Sequence, residues 1–393
     1  MMKKIKVLEL FAGVGGFRIG LEKANKDKFE TKWSNQFEPS RTKQWAYEIY
    51  DKHFPDSQNI NEDIAKMNDE IFKNMDADMI VGGFPCQDYS VARSLNREKG
   101  IEGKKGVLFW EIIRAVKNIQ PKYLILENVD RLLKSPSKQR GRDFAIMLKA
   151  FSDLDYSVEW RVVNAADYGA PQRRRRVFIF VTKNVCEVSE NYLIKNGVMA
   201  KAFPLTGNII KNRIKSDNLP SDIVSVSDTY SSEFYNSGIM SHGKFLTIEV
   251  EPKSEGATPL KAIVDEKVEE KYYLSEEKVE KFNYLRGAKK IERKTADGHK
   301  YFYSEGGMSP HDDLSLPGRT MLTSEGSINR STHFIKDGDK YRILTPTEAE
   351  RLNTFPDNWT EISGITDATR RFLMGNALVT DMIARIAEVI DRG

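Results

Sequence analysis

Residues 5–10, Ile-Lys-Val-Leu-Glu-Leu, read as a strand, and the chain turns at once through Phe11-Ala12-Gly13-Val14-Gly15-Gly16-Phe17 into a helix-like segment. A strand, a glycine-rich turn and a helix in succession open a nucleotide-binding sheet. The dinucleotide pattern is incomplete, because Arg18 stands where its third glycine would be. The alternation then continues. Apolar runs at 29–34, 79–83, 122–126, 157–163 and 177–181 read as strands, and 41–54, 108–119 and 143–154 as helices. This predicts an α/β fold, a doubly wound sheet with helices on both faces.

After Thr182 the alternation fades. Residues 183 to about 341 are polar and short-segmented, punctuated by Ser, Gly, Asp and Asn. They predict a second, smaller, irregular and mostly-β domain. Its basic and aromatic residues cluster from Lys281 to Lys294 and again at Arg319 and Arg330. Thr345-Pro346-Thr347-Glu348 is a capping box with proline at the first helical position. Residues 367–390 form a helical region interrupted at Gly375-Asn376-Ala377, with apolar positions suited to packing on the first sheet. The expected division is therefore 1–183 with 343–393 in the large domain, and 184–342 in the small one.

The totals narrow the function classes. No apolar run nears the roughly 20 residues that span a bilayer. The basic start precedes an apolar segment too short for a signal peptide and interrupted by Glu9. Two cysteines, Cys86 and Cys186, make neither a disulfide framework nor a zinc cluster, so no metal and a reducing cytoplasm are expected. A net charge of +4 is a weak hint of a polyanionic partner.

The chemistry-bearing stretch is Gly82-Gly83-Phe84-Pro85-Cys86-Gln87-Asp88-Tyr89-Ser90, at the end of a buried strand. Pro85 stiffens the turn and presents the Cys86 thiol above the carboxyl ends of the strands. Taken alone, Cys86 fits equally well as a small buried residue. Glu38, at the end of the second strand, suits a ribose diol, or is a solvated loop acid. Asp63 and Ile64 suit an exocyclic amine and a purine face, and a helix N-cap is an equally good local reading. Residues 90–106 carry Gly100, Gly103 and Gly106 among Arg93, Arg97, Lys99, Lys104 and Lys105, a lid able to close on phosphates or a solvated loop. Glu127-Asn128-Val129 ends an apolar strand, where partial desolvation favours a protonated, hydrogen-donating carboxyl. Gln172 precedes four arginines. If the strand period extends back into them, Arg174 and Arg176 share one face and Arg173 and Arg175 the other.

Together these stretches resemble the cytosine-5 DNA methyltransferase family of restriction-modification type. The matching residues are Phe11-Ala12-Gly13-x-Gly15-Gly16-Phe17, Gly83-Phe84-Pro85-Cys86-Gln87, Glu127-Asn128-Val129, Gln172-Arg173-Arg174-Arg175-Arg176 and Gly375-Asn376-Ala377, in the family's order. The resemblance implies a doubly wound S-adenosylmethionine-dependent methyltransferase sheet and methyl transfer to carbon 5 of a flipped cytosine in a specific duplex sequence. It implies Cys86 as nucleophile, Glu127 acting on ring nitrogen 3, Asn128 orienting loop or base, and Arg176 with Arg174 beside them. For S-adenosylmethionine it implies Phe11, Gly13, Gly15 and Phe17 around the donor and Glu9 at its cationic end. Glu38 would take the ribose and Asp63 and Ile64 the adenine, with Pro85 and Leu108 as lining and Asn376 and Ala377 as closure. An absent third glycine fits, because this donor has no pyrophosphate. Arg93 and Arg97 of the lid would grip DNA, and Gln87 or Ser90 would fill the gap left by the flipped base. The small domain would read the sequence. The chain would act as a monomer, possess a cognate endonuclease and have no membrane partner.

Two departures stand out. The acid often follows Asn directly in this family, whereas here Asn35 is followed by Gln36-Phe37-Glu38, and the four arginines leave their register open by one place. The rival readings are a cytosine-5 methyltransferase acting on RNA such as tRNA, a nicotinamide or flavin oxidoreductase resting on the glycine turn, and a DNA-binding module with vestigial catalytic residues.

Overall fold

The computed structural model describes residues 3–84, 108–295 and 298–392. They fall into two compact units, Met1–Tyr168 with Arg175–Glu255 and Val379–Gly393, and Gly169–Arg174 with Gly256–Leu378.

The first unit begins with β1 (Ile5–Leu10), α1 (Gly16–Asn25), β2 (Phe29–Asn35), α2 (Trp45–His53), β3 (Gln58–Ile60), α3 (Asp69–Lys73) and β4 (Met79–Gly83). It continues with α4 (Leu108–Ile119), β5 (Tyr123–Val129), α5 (Arg142–Ser152), β6 (Ser157–Asn164) and β7 (Arg175–Thr182). Then come α6 (Val198–Ala202), β8 (Leu205–Asn218), α7 (Ile223–Thr229), β9 (Ser237–Ser241) and β10 (Lys244–Pro252). The strands form one ten-stranded sheet, ordered β3-β2-β1-β4-β5-β7-β6-β9-β10-β8.

Strands β1 to β5 are parallel and β7 runs antiparallel to β5. Parallel strands need cover on both faces. Their centres accordingly read as continuous apolar runs, and Met79, Ile80, Val81, Leu124, Ile125 and Leu126 are fully buried. The amphipathic α4 turns Phe109, Ile112, Ile113 and Val116 into the same core as Phe84 and Phe151. Because the chain winds from β1 out to β3 and then returns to place β4 on the other side of β1, the winding reverses between β1 and β4. Ligands of such sheets bind in the crevice beyond the carboxyl ends at that reversal.

The compact units do not divide at 183 and 343. Residues 205–252 extend the large sheet, because β9 pairs with β6 and β10 carries β8. Trp160 on β6 anchors this extension, its ring edge-on to Phe144 at 5.1 Å and to Phe234 at 5.6 Å. The stretch reads as irregular in sequence because β8 is an exposed edge strand of mixed polarity.

The second unit contains α8 (Glu276–Arg286), the hairpin β11 (Lys289–Lys294) and β12 (Lys300–Glu305), the hairpin β13 (Phe334–Asp337) and β14 (Lys340–Ile343), α9 (Pro346–Leu352) and α10 (Asp367–Asn376). It combines the two hairpins with three helices, while within 184–342 strands outweigh helices, as expected. Phe282 and Phe334 stack at 4.5 Å, and buried ion pairs join Arg286 to Asp312 at 2.7 Å and Arg342 to Glu348 at 2.8 Å. Both halves of the Thr345–Glu348 capping box are formed. The helical region from 367 is broken as its sequence implies, but its first half packs within the second unit. A Cβ on Gly375 would lie 2.3 Å from the Leu322 carbonyl carbon, so only glycine lets α10 approach that backbone. The second half, α11 (Thr380–Arg392), belongs to the first unit and lies along α1, where Lys23 bonds Asp381 at 2.6 Å. No helix among the described residues is long and apolar enough to cross a membrane.

Candidate active site

Glu9, next to last in β1, is fully buried. The Tyr50 hydroxyl on α2 donates to its Oε2 at 2.9 Å, while Oε1 has no hydrogen-bond partner among the described residues. Burial pushes this carboxyl up to about 7, against the Tyr50 hydrogen bond, the charge of Arg18 and the backbone N–H groups of Arg18 and Phe17 at the start of α1. A buried acceptor left unpaired is costly, so this oxygen fits a site completed by a donor or cation.

The glycine turn lies directly beyond. Gly13 donates its N–H to Gln36 Oε1 at 2.8 Å, and Ala12 donates to the Asn35 carbonyl at 3.0 Å. The turn is thus fixed to the end of β2 with an open face, since a Cβ on Gly13 would meet nothing within 4 Å. Gly15 takes φ +89°, a conformation glycine tolerates, and starts α1. Phe17 is buried, and its ring lies 3.7 Å from where a Cβ on Gly83 would stand. Arg18 has its own reason to replace glycine. It bonds both oxygens of Asp56 at 2.8 Å and Glu22 at 2.8 Å, and lies 3.9 Å over the Phe54 ring.

Glu38 is half-buried, and desolvation raises its carboxyl against the charge of Arg41. Gln44 holds its backbone from both sides, at 2.9 and 3.0 Å. Asp63 adopts the capping role, accepting from the Ala65 N–H at 3.1 Å, and Ile64 sits in the main core at 3% exposure. Leu108 is half-buried in α4. Asn376 is exposed and Ala377 half-buried at the end of α10, in the second unit. Pro85, Cys86, Gln87, Ser90, Arg93 and Arg97, and with them the lid segment 90–106, lie outside the described residues.

The carboxyl ends of β4 and β5 bring the acid into place. Gly83 pairs in register with Glu127, and a Cβ on Gly83 would stand 3.1 Å from Glu127 Oε2. The carboxylate therefore lies against the last residue of β4, three positions before Cys86 in sequence. Its surroundings are less apolar than the strand implies, because Arg176 Nε pairs with Oε1 at 2.8 Å. Asn128 is buried. Its amide donates to the Phe84 carbonyl at 2.8 Å, at the point where the chain leaves β4.

The arginine register is settled by where β7 starts. The strand begins at Arg175, so its two-residue period does not reach Arg174. Arg175 is exposed and bonds Asp130 at 3.2 Å. Arg174 is buried and donates to the Met321 carbonyl at 2.7 Å and the Gly375 carbonyl at 3.2 Å. That is a tie within the second unit, not a share in the Glu127 pair. Two contributors are hard to read from sequence, namely Gln36 and Tyr50. Tyr50 is one apolar-face position of a helix, and nothing local marks Gln36.

Cys186 is half-buried beside the Tyr192 hydroxyl, 3.4 Å from its sulfur, and burial pushes its thiol up. It follows the end of β7, which pairs with the start of β5, so it stands toward the opposite end of these strands from Glu127.

Comparison with known proteins agrees with this geometry. The C-5 cytosine-specific DNA methylase family matches residues 5–392. Type II methyltransferase M.Sau3AI of Staphylococcus aureus is 57% identical over 100% of this chain and 96% of its own length. M.HhaI of Haemophilus parahaemolyticus is 33% identical over 46% of this chain and 50% of its own. The solved structure of the S. pombe Dnmt2 methyltransferase shares the fold, with a TM-score of 0.63 over 99% of both chains at 14% identity. A match of that extent, on a sheet that carries the glycine turn at its reversal and the Glu127–Arg176 pair on the strands beyond β4, shows that the chain belongs to the C-5 cytosine-specific DNA methylase family and is a DNA (cytosine-5-)-methyltransferase.

Proposed function

We propose that Cys86 is the nucleophile of this methyl transfer, with S-adenosylmethionine as donor and a cytosine swung out of duplex DNA as acceptor. The observation that carries the reading is the Glu127–Arg176 pair seated against Gly83, beside an open glycine turn and an orphaned carboxylate oxygen.

Carbon 5 of cytosine is a poor nucleophile. Addition of the Cys86 thiolate to carbon 6 forms a carbon–sulfur bond and makes the ring an enamine, whose electron pair is available at carbon 5. Glu127 hydrogen-bonds or protonates ring nitrogen 3 and so removes charge from the ring as sulfur adds. Arg176 fixes the Glu127 carboxylate, and Asn128 ties the base of the Cys86 turn to β5. Carbon 5 would then bond the methyl carbon as the methyl–sulfonium bond breaks, with that electron pair staying on the donor sulfur; loss of the carbon 5 proton to a base would expel the thiolate and restore aromaticity. S-adenosylmethionine, when bound, supplies a methyl group activated by a sulfonium.

The open face at Gly13, with Phe11, Gly15 and Phe17, suits the donor, and Glu9 Oε1 suits its cationic end. Glu38 is assigned the ribose, Asp63 and Ile64 the adenine, Pro85 and Leu108 the lining, and Asn376 and Ala377 the closure. Arg174 is proposed as a tie for the Gly375 turn rather than as a catalytic group. Gln87, Ser90, Arg93 and Arg97 are assigned to DNA. Residues 184–342 are assigned to target recognition, the chain acts as a monomer, and its location is the cytoplasm.

Identity with M.Sau3AI runs through both units. We extend to this chain a type II role with a cognate endonuclease and the target sequence of that relative. Bisulfite sequencing of DNA from cells expressing the chain tests this. One methylated sequence context shared with cells expressing M.Sau3AI is expected, and none in cells expressing Cys86→Ala. Methyl incorporation into tRNA but not duplex DNA would contradict the reading.

A further inference from the structure

The hairpin β11–β12 has no core beneath it. Every strand residue except the outermost pair, Lys289 and Glu305, is exposed. Even so it carries Ile291, Tyr301, Phe302 and Tyr303, each between 38% and 59% exposed. A lone two-stranded ribbon is marginal in water, and a cluster of exposed apolar side chains marks a contact surface. Its charge indicates the partner. Lys289, Lys290, Arg293, Lys294 and Lys300 stand against Glu292 and Glu305.

The register separates two faces. Ile291, Arg293, Tyr301 and Tyr303 share one, and Lys290, Glu292, Lys294, Lys300 and Phe302 share the other. On the first, the Arg293 guanidinium lies 4.2 Å from the centre of the Tyr303 ring. On the second, Lys290 lies 4.7 Å over Phe302 and Lys300 pairs with Glu292 at 2.6 Å. Among the described residues Lys290, Arg293 and Lys294 have no carboxylate partner, so these cations remain available to a polyanion.

We propose that the β11–β12 ribbon enters the major groove of duplex DNA, its Arg293 face reading base edges while Lys290 and Lys294, joined by Lys300 on exchanging Glu292 for the polyanion, hold phosphates. The inference rests on methyl transfer to DNA as argued above, and deepens it by naming the reading element. A two-stranded ribbon fits a major groove about 12 Å wide. A guanidinium placed over a phenol ring and without a carboxylate partner among the described residues has N–H groups to offer the paired acceptors of guanine, and the Ile291 methyls suit the thymine methyl.

Two variants of the full chain test it, Arg293→Ala and the triple Lys290→Ala, Lys294→Ala, Lys300→Ala. Both are expected to melt with the unaltered protein, because the ribbon packs over no core. The triple variant should bind every duplex more weakly, with the slope of log affinity against log salt reduced by about 0.9 for each phosphate no longer neutralised. Arg293→Ala should raise methylation at sites differing by one base, relative to the cognate site, by about tenfold. Unchanged salt slope, affinity and site pattern in both variants would overturn the proposal while leaving DNA methylation intact. An unaltered protein that transfers no methyl group to DNA would instead overturn the functional reading, and the salt titration would still score the ribbon.

Discussion

Arg176 Nε lies 2.8 Å from Glu127 Oε1, across the neighbouring antiparallel strands β5 and β7. Val129 is the register partner of Arg176 and Glu127 that of Phe178, so the two charged residues are diagonal neighbours on one face. The pair is almost covered, at 13% and 16% side-chain exposure, and it adjoins the last residue of β4. Glu127→Gln keeps the shape of the acid but cannot deliver a proton to ring nitrogen 3. The single-turnover methylation rate should fall by about 10²–10⁴, the usual worth of a positioned acid–base group. An unchanged rate would remove Glu127 from the chemistry.

Asn128 points to the other face and holds the Phe84 carbonyl at 2.8 Å. Asn128→Ala strips a buried acceptor of its donor, which costs about 1–3 kcal/mol and should show in denaturant unfolding. The expected functional result is slower adduct formation with unchanged donor affinity, because Asn128 bonds the Phe84 carbonyl, two residues before the proposed nucleophile in sequence. Weaker donor binding with a normal chemical rate would place it in the other site.

Glu9 gives stability a definite pH dependence. Its carboxyl stands at about 7 in the folded chain against an ordinary 4.5, so the folded state holds a proton that the unfolded chain has released. The Glu9 contribution therefore declines as pH rises from about 4.5 to about 7, by up to about 3 kcal/mol. Glu159, also raised to about 7 by burial, has the same sign, so the comparison must be with Glu9→Gln. The stability of Glu9→Gln relative to the unaltered chain should rise between pH 5 and pH 8 in chemical denaturation. A cationic donor favours the ionised carboxyl, so its affinity should increase over the same interval in the unaltered chain and stay flat in Glu9→Gln.

The two cysteines should separate cleanly. Burial pushes the Cys186 thiol up and favours its protonated form, at the end of the strands away from Glu127. Cys186→Ser should methylate DNA at the normal rate, whereas Cys86→Ala should bind DNA and transfer nothing, as read by methyl incorporation and gel shift. Loss of activity in Cys186→Ser alone would exchange their roles.

The sheet was legible wherever strands are buried on both faces. Met79–Val81 and Leu124–Leu126 are apolar and fully buried, and the ends of their strands carry residues of the candidate site. The capping box at Thr345 and the break after Gly375 were equally local, and both formed. What escaped depends on partners distant in sequence. Polar composition after Thr182 suggested a new domain, yet β9 pairs with the distant β6, whose Trp160 packs edge-on to Phe234 just before β9. Arg174 and Arg176 are equivalent as a pattern, and only the start of β7 at Arg175 parts them. Gln36 and Tyr50 join the site through single hydrogen bonds to Gly13 and Glu9, which no periodicity reveals.

The most direct test is duplex DNA bearing 5-fluorocytosine at the target base, incubated with the chain and S-adenosylmethionine. Fluorine at carbon 5 cannot leave as a proton does, so the adduct should persist through denaturation, with mass spectrometry locating the nucleotide on the peptide containing Cys86. A denaturation-stable adduct on any other residue, or methylation of normal duplex with no trapped species, would contradict nucleophilic catalysis by Cys86.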